Sequence, residues 1–199
     1  MSGLLAIVIA YLLGGIPFGF LLVKLTRGTD VRESGSGNIG ATNVLRTTGR
    51  AAGLATLALD IAKGFVAVWL AAKLTGDAPE WTSLAALAVM AGHAFPVFLK
   101  FQGGKAVATF IGAFAYLTPL PLAAVLLLFV VTVAVTRYIS AASILAAATF
   151  PFGVWMILHP PVQVTIAAFI AGAFIVYRHK SNRSRLRAGT ENVFSWGRR

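Results

Sequence analysis

Apolar stretches at residues 3–25, 52–74, 83–99, 106–121, 122–136, 142–158 and 162–178 fill most of the chain, with short polar segments between them. About 20 apolar residues of helix cross a bilayer's hydrocarbon core, and backbone in lipid must satisfy its own hydrogen bonds. Recurrence near that length therefore predicts an all-α fold, a polytopic membrane helix bundle of about seven transmembrane helices. Composition agrees, since 58% of residues are hydrophobic and 12% charged, whereas soluble domains carry near a quarter charged. The weakest division lies within 106–136, where Pro119 and Pro121 are the only sign of a turn and whose loss would reduce the count to six. The opening run MSGLLAIVIAYLLGG has no basic residue before Lys24, so it reads as a retained span and not as a signal peptide. A single membrane domain over residues 1–199 is expected.

The cations give this bundle an orientation. Lys24, Arg27, Arg32, Arg46, Arg50, Lys100, Lys105, Arg137, Arg178, Lys180 and the tail arginines fall on one side of the seven-span arrangement, while the other side holds Asp77, Glu80 and Lys73 at a span end. The positive-inside rule then puts the N-terminus outside and the C-terminus in the cytoplasm. A net charge of +11 also suits nucleic acid, anionic lipid or an anionic substrate, but the same rule explains most of it and no nucleic-acid partner is expected. Three polar segments, 26–50, 99–105 and 178–199, share the cytoplasmic face and can converge on one site.

Absences narrow the chemistry. The chain has no cysteine, which excludes disulfides, a thiolate nucleophile and a Cys-ligated metal. His93, His159 and His179 stand far apart in sequence and no carboxylate cluster accompanies them, so neither a metal nor another cofactor is expected. A His-x-x-x-x-Asp acyltransferase signature is also missing, because Phe98 and Ser184 occupy the fifth positions after His93 and His179.

Within GSGNIGATNVLRTTGR, residues 35–50, glycines 35, 37 and 40 stand among Ser36, Asn38, Thr42, Asn43 and Arg46. Glycine lets backbone N–H groups approach an anion, and a helix beginning near Thr42 aims its N-terminal end at one. A polar glycine turn with helix-capping side chains is the plainer reading. Ala41 replaces the lysine of a nucleotide P-loop, which disfavours ATP. In residues 92–109, GHAFPVFLKFQGGKAVAT, Lys105 follows Gly103 and Gly104 just before an apolar span. It can grip a phosphate or snorkel to the interface; His93, inside the preceding span, suits packing as well as proton transfer. In the tail, His179 and Asn182 are i and i+3 and share a helix face, and the surrounding arginines suit anionic lipid headgroups. Asp60 and Lys63, one turn apart in an apolar span, are expected to be paired with each other or across helices, as a structural ion pair or as part of a proton or ion pathway. Ser140 and Ser143 follow Arg137 between two spans, with helix capping as their simplest role.

Taken together, SGNIGATNVLR (36–46), GHAFPVFLKFQGGKAVAT (92–109) and RHKSNRSRLRAGTE (178–191), with GGIPFG in the first span and LDIAKG in the second, resemble the acyl-phosphate:glycerol-3-phosphate acyltransferase (PlsY) family of bacterial membranes. Ala106 stands where that family usually shows Gly, and Arg183 where a hydrophobic residue usually follows the asparagine. The resemblance implies a multi-pass inner-membrane enzyme with a cytoplasmic active site. Such an enzyme moves a fatty acyl group from acyl phosphate to the 1-hydroxyl of glycerol 3-phosphate, with membrane lipids around it. It also implies roles: Ser36, Gly37, Asn38, Gly40 and Thr42, aided by Ser143, would hold the acyl phosphate. Arg46, Lys105, His179 and Asn182 would hold glycerol 3-phosphate, with Ser36, Lys105 and His179 catalytic. The rival class is a transporter of a phosphorylated solute built on broken helices, and a lipid-binding scaffold is a third.

Overall fold

The computed structural model describes residues 1–195, which are helical with no strand among them; Trp196, Gly197, Arg198 and Arg199, the end of the basic tail, lie outside the described residues. By their internal contacts the residues divide into two compact units, Met1–Tyr116 and a second beginning at Leu117.

The first unit contains α1 (Ser2–Gly15), α2 (Phe18–Arg27), α3 (Ala41–Thr47), α4 (Arg50–Thr75), α5 (Pro79–Ala94) and α6 (Val107–Leu117), the division falling at the end of α6. Pro17 separates α1 from α2, because a proline ring has no N–H for the helical ladder. α1 packs on α4 and α5, and small residues set how closely. A Cβ on Gly14 would overlap the Val89 carbonyl, one on Gly92 the Tyr11 carbonyl, one on Gly64 the Thr109 carbonyl and one on Gly112 the Ile61 carbonyl. Lipid tails are as apolar as leucine, so such close backbone approach supplies contact that hydrophobicity cannot. Leu4, Val8 and Leu12 face outward.

The second unit contains α7 (Pro119–Thr136), α8 (Ile139–Ile157), α9 (Val162–Arg178) and α10 (Lys180–Arg187), with α8 packed on both α7 and α9. Arg137, left-handed at φ 60°, ends α7 and opens the return into α8. The chain bends by 55° between α9 and α10. Farther on, Phe194 N–H donates to the Arg137 carbonyl at 2.7 Å, which ties the tail to the α7–α8 turn.

Among the described residues five helical segments have the length and apolarity to cross a membrane, or six if the bent α9–α10 pair is one span. The expected span at 106–121 is the difference. Its helix stops at Leu117 after 11 residues, about 16 Å at 1.5 Å per residue. The turn expected from the prolines is present: Thr118 stands at the N-cap position of α7, without a side-chain cap hydrogen bond, and Pro119 takes the first helical position, where a missing N–H is harmless.

Ala106, buried and just before α6, has φ 61°, a left-handed conformation that costs an L-residue about 1–2 kcal/mol. A glycine at this position would carry no such cost. Ala106→Gly relieves that strain but frees the unfolded chain by about 0.4–1 kcal/mol. Thermal unfolding in detergent is expected to move up slightly, by roughly 1 kcal/mol or less; Ala106→Val should lower it.

Candidate active site

In the first unit the glycine-rich segment is held from beneath and from within. Beneath it, Val23, Val31, Ile39, Val44 and Leu99 form a buried apolar cluster, with Phe20 and Ala52 packed against it. Leu99 belongs to the second polar segment, so loops 31–44 and 97–106 share one apolar floor. Segments 26–50 and 99–105 are thus brought together within the first unit, while 178–195 belongs to the second.

From within, the side chain of Asn43, 2% exposed, organises the loop. Its Oδ1 accepts from Ser36 N–H at 2.8 Å, and its Nδ2 donates to the carbonyls of Asn38 at 2.9 Å, Ser34 at 3.1 Å and Val31 at 3.3 Å. Gly35 and Gly37 are left-handed at φ 60° and 69°, where a side chain is strained, and a Cβ on Gly35 would overlap Asn43 Oδ1. Asn38 Oδ1 accepts from Gly40 N–H at 2.9 Å, so this side chain shapes the turn into α3, which starts at Ala41. The result is an exposed Ser36 and half-buried Asn38, Gly40 and Thr42 around the start of a helix, where first-turn N–H groups point outward. Arg46, one turn beyond Thr42, is exposed.

Asp30 and Arg32 brace the approach, with Arg32 Nη2 2.6 Å from Asp30 Oδ2 and its guanidinium 5.3 Å from the Phe20 ring. The hydrogen-bonded guanidinium holds the Asp30 carboxyl below its usual range. Any stability from this surface pair is therefore fully present above the ordinary carboxylate range and is lost as pH falls through the lowered value.

The second loop runs through Lys100 and Phe101, both left-handed, then returns to α5. Gly103 N–H donates to the Ala94 carbonyl at 3.2 Å and Gly104 N–H to the His93 carbonyl at 3.1 Å. Lys105, half-buried, follows immediately. Asp60 and Lys63 are paired as expected, Nζ to Oδ1 2.8 Å apart.

In the second unit His179 stands at the α9–α10 bend, 3% exposed, with Nδ1 2.8 Å from the Ile175 carbonyl. A carbonyl only accepts, so Nδ1 carries the proton in the neutral ring and Nε2 is the basic nitrogen. Asn182, also buried, donates to Glu191 Oε1 at 2.8 Å, and Arg185 Nε donates to Glu191 Oε2 at 2.8 Å. Asn182 Oδ1 is buried with no hydrogen-bond partner. Ser143 is buried and donates to the Ile139 carbonyl at 2.8 Å; to serve an anion its hydroxyl must turn away from its own helix. Neither Ser140 nor Ser143 caps α8, whose N-cap is Tyr138.

Asn43 and Glu191 are the residues that sequence reasoning left without a role. Asn43 reads as one more polar residue of a glycine loop, although an amide in the first turn after glycines is the signal for a loop organiser. Glu191 reads as a lone acid in a basic tail.

Over residues 4–189 the chain matches the family model described as glycerol-3-phosphate acyltransferase. Curated relatives of that name include the protein of Trichlorobacter lovleyi, 50% identical over 97% of this chain and 98% of its own length. Another, from Geotalea daltonii, is 48% identical over 97% and 98%. Among solved structures, PlsY (YgiH), an integral membrane glycerol 3-phosphate acyltransferase, is 39% identical in its glycerol 3-phosphate form, with a TM-score of 0.92 over 98% of this chain and 96% of that one. Its lysophosphatidic acid form is 37% identical with a TM-score of 0.89 over 98% and 97%.

Proposed function

The chain belongs to the glycerol-3-phosphate acyltransferase family, and from that premise we propose that it moves a fatty acyl group from acyl phosphate to the 1-hydroxyl of sn-glycerol 3-phosphate. The hydroxyl oxygen attacks the acyl carbonyl carbon, an ester bond forms, and the bond from that carbon to the phosphate oxygen breaks. Inorganic phosphate and 1-acylglycerol 3-phosphate (lysophosphatidate) leave. In phospholipid synthesis this is the first committed step.

An acyl phosphate already carries a good leaving group, so the reaction asks for positioning and charge stabilisation and not for an acyl-enzyme. It also explains a membrane-embedded enzyme. At about 0.8 kcal/mol per buried methylene, a sixteen-carbon chain favours the bilayer by on the order of 10 kcal/mol, while glycerol 3-phosphate stays in water.

The observation that carries this reading is the buried cluster of Val23, Val31, Ile39, Val44 and Leu99 under both loops of the first unit, which supports two phosphate-binding segments built side by side. In the proposal Ser36, Gly37, Asn38, Gly40 and Thr42 hold the acyl phosphate, with Ser143 as a further ligand once its hydroxyl turns. Arg46, Lys105, His179 and Asn182 hold glycerol 3-phosphate. Ser36, Lys105 and His179 touch the reacting groups. Seven crossings, α6 being a short one, with the N-terminus outside and the active site facing the cytoplasm of a bacterial inner membrane, agree with where the cations fall. Lys180, Arg183 and Arg187, which line an open cavity on α10, then meet anionic lipid headgroups.

The reaction is tested with purified protein, an acyl phosphate and glycerol 3-phosphate. Lysophosphatidate is the expected product; its absence in detergent and in lipid, with uptake of glycerol 3-phosphate into sealed vesicles, would favour a transporter. His179→Ala should raise the KM for glycerol 3-phosphate about tenfold, the worth of one hydrogen bond. Its pH profile assigns the proton of the attacking hydroxyl: a limb lost near neutral pH points to His179 Nε2, and a limb kept points to the substrate's own phosphate.

A further inference from the structure

Asp60, Lys63 and His93 lie inside the first unit at 2%, 5% and 4% exposure. Lys63 Nζ is 2.8 Å from Asp60 Oδ1, donates to the Ile16 carbonyl at 2.8 Å, and sits 5.6 Å from the centre of the Phe18 ring. His93 Nδ1 stands 3.6 Å from the same Asp60 oxygen. The other edge of the imidazole abuts Gly104, where a Cβ would overlap Nε2. One ring thus spans from a buried carboxylate on α4 to the backbone of the residue before Lys105.

The Asp60–Lys63 pair is closed at 2.8 Å, and the imidazole bridges from it to the loop. Gly103 and Gly104 donate to the Ala94 and His93 carbonyls at the end of α5, and the imidazole packs directly on the backbone of Gly104. A displacement of about 1 Å at a binding group is enough to cost on the order of 100-fold in rate.

We propose that His93, oriented by Asp60, is a positioning residue that sets the Gly103–Gly104–Lys105 backbone at the height where Lys105 meets the phosphate of glycerol 3-phosphate. It touches no substrate itself. The inference rests on the reading of Lys105 as a phosphate ligand.

Steady-state kinetics on the full-length protein in lipid, with each substrate varied in turn, provide the test. His93→Ala should raise the KM for glycerol 3-phosphate about tenfold or more while moving the KM for acyl phosphate less than about twofold. His93→Gln, whose amide fills much of the same span, should recover most of that loss. Gly104→Ala should also raise the KM for glycerol 3-phosphate. In the His93→Ala background its methyl enters the space left by the ring, so the double variant should be no worse than His93→Ala alone.

A Gly104→Ala cost that is the same in both backgrounds would overturn the proposal, as would equal changes in both KM values. If His93→Ala is not recovered folded, His93→Asn, whose shorter amide leaves part of the ring's space open to the methyl, carries the same comparison with Gly104→Ala. Lys105→Ala separates the two levels. If it leaves the KM for glycerol 3-phosphate unchanged, the phosphate-ligand reading itself falls. If it raises that KM and His93→Ala does not, only the positioning role is lost.

Discussion

Lys105→Ala is expected to lower kcat/KM for glycerol 3-phosphate about 100-fold, the upper end of what a charge-assisted hydrogen bond to phosphate contributes, about 3 kcal/mol. The protein should still insert and should unfold at nearly the wild-type temperature, because Lys105 is half-buried and stands outside any helix. A lysine that only snorkels to the interface makes the opposite prediction, with wild-type kinetics. Arg46→Ala, on the exposed face of α3, should act in the same direction. Wild-type rates for both would remove the glycerol 3-phosphate assignment.

The second large effect is expected at a residue that need not touch substrate. Asn43→Ala removes the acceptor for Ser36 N–H and the donor shared by three loop carbonyls, so roughly 3 kcal/mol of stability should go, at about 1 kcal/mol per net bond. Acyl phosphate binding should weaken with it, since Ser36 and the glycines lose their template. Asn43→Asp should be no better, because a carboxylate can take the Ser36 N–H but donates nothing to the carbonyls and sets a charge against them. Thermal unfolding together with the KM for acyl phosphate checks this. An Asn43→Ala protein with unchanged stability and KM would mean that the loop is held by something else.

The elements were legible where hydropathy alone decides them. α4, α7, α8 and α9 begin and end within a few residues of the apolar stretches, because lipid-facing residues such as Leu127, Val130 and Val135 must be apolar along the whole span. The short α6 was not legible. Its apolar stretch runs on through Thr118 into the proline-led start of α7, and hydropathy is blind to where the backbone turns. The break before Pro17 was visible as GGIPFG but lay inside a stretch long enough to read as one span. At the site, the pairing of Asp60 with Lys63 follows from their spacing of one helical turn. The approach of His93 does not, since it depends on how α4 and α5 pack. Asn43 and Glu191 show the same limit. The residue type marks a polar partner, but which backbone groups it satisfies is decided only once the loop has closed around it.

Direct transfer between two bound phosphates, without a covalent acyl-enzyme, is tested most directly by mixing enzyme at high concentration with acyl phosphate alone, then with glycerol 3-phosphate added. Without acceptor, no rapid phosphate release and no acyl mass on the intact protein are expected; with it, phosphate and lysophosphatidate should appear in equal amounts. A burst of phosphate matching the enzyme concentration, together with an acylated protein, would contradict direct attack.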